Sequence, residues 1–213
     1  MPTLQGSQIV LKPLALEHAE GLCRASFSDP SLFKWSPVPR GVEAVTAYIE
    51  TALTWQDANT AVPFVIIRQG DGAVLGSTRF WNIERWQWPR HHERHGRGFP
   101  DACEIGYTWL TSTAIRTSAN TEAKFLMLQH AFEKWKVLRV CFHTDRRNER
   151  SKAALERLGA KYEGTLRAHR IAADFTARDS LRYSIVASEW LVIKERLIRH
   201  LKQHNENFEI KGT

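Results

Sequence analysis

Arg116-Thr117-Ser118-Ala119-Asn120-Thr121-Glu122-Ala123-Lys124 is a short polar turn that runs directly into an amphipathic pattern, in which Phe125, Leu128, Phe132 and Trp135 recur at helical spacing. The spacing predicts a helix from about Thr121 to Trp135, with Glu122 placed favourably at the positive end of its dipole. A helix start of this kind points amide N–H groups at whatever lies before it, which is the physical arrangement for holding a phosphate. Just upstream, Cys103-Glu104-Ile105-Gly106-Tyr107-Thr108-Trp109-Leu110 is rich in β-branched and aromatic residues and reads as a strand. Strand, anion-holding turn and helix in that order predict a site for a phosphorylated cofactor.

Working outward, Ile9-Val10-Leu11 reads as a first strand and Glu17 to Phe27 as a helix ended by Asp29-Pro30. Val42 to about Asp57 is a second helix with Val45, Ile49, Ala52 and Leu53 on one face. Between them Trp35-Ser36-Pro37-Val38-Pro39 is a rigid aromatic loop. Phe64 to Ile67 and Val74 to Trp81 are strands joined by Gly70-Asp71-Gly72, a hairpin signal. Glu84 to Asp101, with its tryptophans, arginines and histidines, breaks the pattern and reads as a loop inserted at about 84–102. Leu138, Val140 and Phe142 alternate with Arg139 and Cys141 as in a half-buried strand. Asn148 is placed to cap a helix over Glu149 to Leu158, with Gly159 as its stop. Strands near Thr165 to Ile171 and Ser180 to Val186 follow, and Ser188 can cap a last helix carrying Trp190, Ile193, Leu197 and Leu201. Hairpins mixed with one crossover unit predict an α/β (α+β) fold of mixed sheet, not a doubly wound one.

The 213 residues suffice for one domain, 1–213, with a full core. An apolar fraction of 43% and a charged fraction of 25% are those of a globular chain, and no run has the length of a membrane span. The start, Met1-Pro2-Thr3-Leu4-Gln5-Gly6, carries no leader pattern, so the expected location is the cytoplasm. Net charge of +7 suits an anionic ligand, but it is spread along the chain and no nucleic-acid motif accompanies it, so direct nucleic-acid binding is not expected. Cys23, Cys103 and Cys141 are isolated and read as core fillers. His91, His92 and His95 include an i, i+4 pair, yet no second pair completes a metal set and Pro89 and Gly96 argue for a loop; no metal is expected.

The ordered set Glu104 to Leu110, Asn120 to Lys124, Thr144-Asp145 with Asn148 and Ser151, Leu158-Gly159-Ala160 and Glu163 to Arg167 resembles the GNAT superfamily of N-acyltransferases. Within it the pattern is most similar to the RimJ/RimL-like branch, which acetylates N-termini of ribosomal proteins. The resemblance runs from about Ile9 to Leu201. It implies a mostly antiparallel central sheet, flanked by helices and splayed where acetyl-CoA lies between the strands ending at Leu110 and His143. The family turn carries glycines; here Ile115, Ser118 and Asn120 occupy the marked positions in one register, and Arg116, Ala119 and Thr121 in the other. Neither register supplies a glycine, and the small Ser118 and Ala119 with the left-handed-tolerant Asn120 are expected to preserve the turn.

By the same resemblance the acyl carbonyl is held by a backbone N–H near Trp109 or Leu110, and the cofactor by the 115–121 turn, Thr117 included, with Asn148 and Ser151. Asn148 serves the pantetheine arm or caps its helix, or both. Ser151 can hydrogen-bond the departing thiolate. Lys152 and Arg116 either pair with CoA phosphates or are solvated. Glu104 is the candidate base, drawing a proton from the acceptor ammonium through water, or else a structural carboxylate. Trp35, Phe80 and Trp81 line the acceptor entrance or belong to the core. The implied activity is acetyl-CoA-dependent transfer of an acetyl group to a primary amine, on a peptide or ribosomal-protein N-terminus or a small molecule. The missing glycines leave a catalytically idle CoA-binding module as the alternative. Similar proteins are commonly dimers, so a homodimer is among the implied assemblies.

Overall fold

Eight strands form one sheet in the order β1-β2-β3-β4-β5-β6-β8-β7. The computed structural model describes residues 2–27 and 30–204. The strands are β1 (Leu4–Gln5), β2 (Ile9–Pro13), β3 (Ala61–Arg68), β4 (Val74–Glu84), β5 (Ala102–Leu110), β6 (Arg139–Asp145), β7 (Lys161–Ile171) and β8 (Ala177–Val186). All neighbours pair antiparallel except β5 and β6. The helices are α1 (Ala19–Ser26), α2 (Val42–Asp57), α3 (Ala119–Gln129), α4 (Glu149–Leu158) and α5 (Trp190–His204). The Asp29 stop signal after α1, Met1 and residues 205–213 of the 1–213 domain lie outside the described residues.

Local chemistry accounts for most boundaries. The β3–β4 hairpin closes through Gly72 at φ 70, whose amide donates to the Arg68 carbonyl. Asn148 accepts the Ser151 amide at the start of α4, and Gly159 ends that helix at φ 93. Ser188, by contrast, sits inside a single 3-10 turn (Ala187–Glu189), and it is Glu189 that accepts the Val186 amide before α5 begins.

Two layers cover the sheet. On one face α3 and α5 pack over Phe64, Phe80, Ile105, Val140 and Phe142; on the other α1 and α2 pack over Val65 and Trp109. The third helix is not amphipathic in place. Every residue from Glu122 to Gln129 is buried, because the sheet lies on one side and Trp190 of α5 stacks against Phe132 on the other. It starts two residues earlier than its apolar pattern suggests and closes in a π turn, His130–Lys134. Strand β6 differs from its half-buried reading for the same reason: as a central strand covered on both faces, it buries Val140, Cys141 and Phe142 in succession.

Glu122 does more than meet the helix dipole. Its carboxylate, 1% exposed, accepts the Ser7 hydroxyl (2.9 Å) and the Gln8 amide (3.2 Å), tying the first hairpin to the start of α3.

Candidate active site

The parallel ladder between β5 and β6 is short. It runs from Ala102 opposite Arg139 to Glu104 opposite Cys141, although β5 continues to Leu110 and β6 to Asp145. Beyond Glu104 the two strands part, and the backbone groups facing the gap lose their strand partners. On its other edge β5 stays paired with β4, with a register shift between Ser77 and Arg79 where Tyr107 takes φ 52. Such a bulge re-aims the residues around it, here Thr108 and Trp109. A cavity of about 1030 Å³ fills the opening, walled by Gly106 to Leu110 on one side and Phe142 to Asp145 on the other. Its volume suits a large cofactor arm.

At one end lies the turn before α3. Ile115, Arg116, Thr117, Asn120 and Thr121 line the cavity, and the Glu122 amide donates to the Ser118 carbonyl, so the helical ladder begins there. The amides just before it are those a helix start leaves without an intrahelical acceptor, and they meet the positive end of the dipole. The left-handed residue is Arg116, at φ 62, and not the expected Asn120, which is already helical. The turn is held from within by the Thr117 hydroxyl, which donates to the Ala114 carbonyl (2.8 Å) and accepts the Ala119 amide (3.2 Å). Ser118 and Ala119 are buried beneath it, Ser118 bonded to Gln8.

Across the gap, α4 presents Asn148 and Ser151 to the same cavity. Asn148 Oδ1 is committed to the cap, which leaves its amide N–H₂ as the group free to meet a ligand. Asn148→Asp keeps the capping oxygen and removes those donors. It is expected to leave the thermal midpoint near wild type while weakening acetyl-CoA binding about tenfold, whereas Asn148→Ala adds a stability loss of about 1 kcal/mol. Calorimetric titration beside thermal unfolding separates the two. Lys152 does not reach the cavity wall; it pairs with Glu149 at 2.9 Å.

The other end of the cavity holds a buried polar centre. Glu104, 2% exposed, lies 3.0 Å from His143 Nδ1 and 3.2 Å from Arg170 Nη2. Burial raises its carboxyl pKa, but the adjacent His143, the Arg170 charge and the Trp81 indole together hold it below the usual carboxylate range. Both ring nitrogens of His143 are buried: Nδ1 has the Glu104 carboxylate at 3.0 Å but not in hydrogen-bond alignment, Nε2 has no protein partner among the described residues, and the ring stands 5.0 Å from that of His169. Trp81 lies against this centre, with Arg170 stacked over its ring at 4.5 Å and Tyr107 5.3 Å away. Trp35 lines the mouth under the Arg147 guanidinium at 4.2 Å. Phe80 does not belong here. It is fully buried on the opposite face of β4, packed against Phe64 and Trp135.

Two charged groups escaped the sequence reading. Arg79, 1% exposed, is enclosed by the rings of Tyr48, Trp55 and Tyr107 and so fixes Tyr107 at the bulge. Lys124, 7% exposed, lines the cavity on the far side of β5, where its Nζ donates to Thr108 Oγ1 at 2.5 Å and Thr108 in turn meets Thr78. Burial without a carboxylate partner pushes its pKa down from 10.5 to about 7. The folded state therefore binds the lysine proton less readily than the unfolded chain does. That deficit is complete below pH 7 and is relieved as pH rises toward 10, at about 1.4 kcal/mol per pH unit. Lys124→Met is thus expected to raise the thermal midpoint near pH 6, with the gain shrinking toward pH 10; a gain independent of pH would contradict a buried ammonium.

The insert between β4 and β5 is organised around Asp101, which accepts the Trp86 amide and the Trp88 indole, each at 2.8 Å. His92 stacks on Trp88 and His95 bonds its carbonyl. Among the described residues no three His, Cys, Asp or Glu side chains converge as metal ligands, and no helix is long and apolar enough to cross a membrane.

A mixed sheet opened between two parallel strands, with a helix start at one end of the opening, can hold an extended cofactor with an anionic group at the helix end. The acetyltransferase (GNAT) domain model matches residues 8–161, and the chain belongs to the GNAT acetyltransferase family. Its acetyl donor is acetyl-CoA. A candidate acetyltransferase from T. thermophilus is 35% identical over 94% of this chain and 98% of its own, with a TM-score of 0.75. A GCN5-related N-acetyltransferase from Brucella melitensis is 24% identical over 100% and 90%, with a TM-score of 0.80. RimJ of Mycobacterium smegmatis, solved with CoA-disulfide, is 22% identical over 93% and 94%, with a TM-score of 0.76. No curated protein gives a significant match.

Proposed function

We propose that this protein is an N-acetyltransferase that moves the acetyl group of acetyl-CoA to a primary amine by direct attack on the thioester, in the cytoplasm. The observation that carries this reading is one continuous cavity joining the turn at the start of α3 to the buried Glu104–His143 pair. The turn forms without glycines, with Arg116 in the left-handed region, which supports cofactor binding in either an enzyme or an idle module; turnover separates those two.

Acetyl-CoA supplies an activated acyl carbon when bound. Asn120, Thr121 and Arg116 hold the diphosphate, Asn148 the pantetheine arm, and the strand amides near Trp109 and Leu110 the acyl oxygen. Base duty falls to the Glu104–His143 pair. Glu104 is anchored by Arg170 and ionised well below neutral pH, so alone it is a weak proton acceptor. Facing His143 Nδ1, it orients the ring and stabilises the imidazolium, while Nε2 takes the proton from the acceptor ammonium. Ser151, which lines the same cavity, serves as hydrogen-bond donor to the departing thiolate in this reading.

A primary-amine panel, comprising small amines and peptides with the N-termini of ribosomal proteins, read by released CoA thiol, tests this. Amine-dependent thiol release with acetylated product is expected. Binding of acetyl-CoA without turnover on any amine would replace the enzyme by a CoA-binding module. The RimJ neighbour and the branch resemblance make a peptide N-terminus one acceptor to include, and a homodimer one assembly to check by light scattering.

A further inference from the structure

Strands β7 and β8 set Arg170 directly opposite Arg178, and both side chains line the cavity. Like charges at paired positions of an antiparallel ladder destabilise it. A register shift between Leu166 and Arg170, with Ala168 at φ 46, re-aims this end of β7, so the pairing is built into the backbone. The two arginines are not equally satisfied. Arg170 has Glu104 and the face of Trp81. Arg178 bonds Ser180 Oγ through Nε at 2.9 Å and takes part in no ion pair among the described residues.

The surroundings add no second carboxylate. Asp145, the other acid whose charge reaches Arg178, is committed to Arg147, which accounts for both of its oxygens. His169 leaves Nδ1 buried without a partner, and its pKa is lowered by burial and by Arg170, His143 and Arg178. Burial and the Arg170 charge likewise lower the pKa of Arg178. One carboxylate thus faces two guanidiniums at the end of the cavity where the acceptor amine must enter. A planar guanidinium left over beside a proton acceptor is suited to a carboxylate or phosphonate of the incoming molecule.

The mouth is also bridged. Arg147 joins Asp174 at the β7–β8 tip (2.9 Å) and stacks on Trp35, and Arg150 bonds the Leu32 carbonyl at 2.6 Å. These ties cross from the β6–α4 connection and the first turn of α4 to the β7–β8 tip on one side and to the 32–35 segment on the other, which favours a compact acceptor over a long chain.

We propose that Arg178, with Arg170, is an oxyanion clamp, and that the acceptor is a small amine bearing its own carboxylate or phosphonate within a few bonds of the nitrogen, as in a free amino acid. The proposal rests on the acetyl-transfer reading and narrows its acceptor. Amine and oxyanion then occupy neighbouring points: the ammonium against His143 and Glu104, the oxyanion across Arg170 and Arg178.

The test uses the full chain and three matched sets of amines: free amino acids, their amides, and aminoalkylphosphonates, each followed by thiol release. Wild type is expected to favour at least one acid over its amide by tenfold or more in kcat/KM, and the phosphonate arm shows which oxyanion it takes. Arg178→Met is expected to raise KM for the acid about 10- to 100-fold, collapsing the acid-over-amide preference, and Arg178→Lys to restore part of it. Since the substitution relieves a like-charge pair, the thermal midpoint of Arg178→Met is expected to be no lower than wild type. Amides or N-terminal peptides turned over as well as the acids, with a preference insensitive to Arg178, would overturn the clamp and leave the acetyltransferase intact. No acetyl-CoA binding and no thiol release with any amine would remove the underlying reading, and the clamp with it.

Discussion

His143→Ala and Glu104→Gln are each expected to lower kcat by about 10²- to 10⁴-fold, the usual contribution of a positioned proton acceptor. The physical reason lies in the pairing. His143 and Glu104 stand 3.0 Å apart in a site where Glu104 is almost wholly excluded from water, so the imidazolium formed on proton uptake is stabilised by a nearby fixed charge. Removing the carboxylate leaves a neutral ring with no such support and frees Arg170 from its partner. Because residues of one proton-transfer unit act non-additively, the double variant is expected to be about as slow as the slower single one. Acetyl-CoA affinity is expected to stay within about threefold of wild type, since neither group meets the turn before α3. The acidic limb of the kcat/KM profile reports the pair in the free enzyme. Unchanged rate and pH profile in Glu104→Gln would take that residue out of the proton path, and the same result in His143→Ala would take out the ring.

Gly76→Ala is the second large effect, and it acts on the scaffold. Gly76 faces Leu110 across the β4–β5 ladder at φ 153, and a Cβ there would stand 2.0 Å from the Trp109 carbonyl oxygen and 2.9 Å from its carbon. Those are backbone atoms in a buried strand, so the ladder itself must move. A loss of more than about 3 kcal/mol in chemical unfolding is expected, or failure to fold. Gly72 is the control. At φ 70 with nothing within 4 Å, its alanine variant meets only the conformational term, about 1 kcal/mol. Because Gly76 supports the Trp109–Leu110 stretch that walls the proposed acetyl-CoA site, folded Gly76→Ala protein is also expected to bind acetyl-CoA poorly. Wild-type stability in Gly76→Ala would mean that β5 is not held this closely.

What is legible in the chain is local. Gly70-Asp71-Gly72, the Asn148 cap and the Gly159 stop each carry their geometry in a few residues, and all three form in place. The β4 strand after its hairpin and the helical spacing of α2 need no long-range information either. Burial by third elements is not visible there, which is why α3 and β6 read as half-exposed. The same gap hides the polar centre. Glu104 stands out as a carboxylate on a strand, but His143 and Arg170 reach it only through the parallel start of β5 and β6 and the return of β7, which no spacing announces. Lys124 in a helical pattern reads as solvated, and only packing against Thr108 reveals it as part of the cavity wall. The missing glycines draw attention to Asn120, whereas the left-handed position falls four residues earlier, on Arg116.

Calorimetric titration of the full chain with acetyl-CoA tests the central claim most directly. Saturable binding at one acetyl-CoA per chain, with Kd on the order of 10⁻⁶ to 10⁻⁴ M and competition by free CoA, is predicted from a splayed strand pair backed by a helix start. No heat of binding at millimolar acetyl-CoA would contradict the assignment of the β5–β6 opening as the acetyl-CoA site.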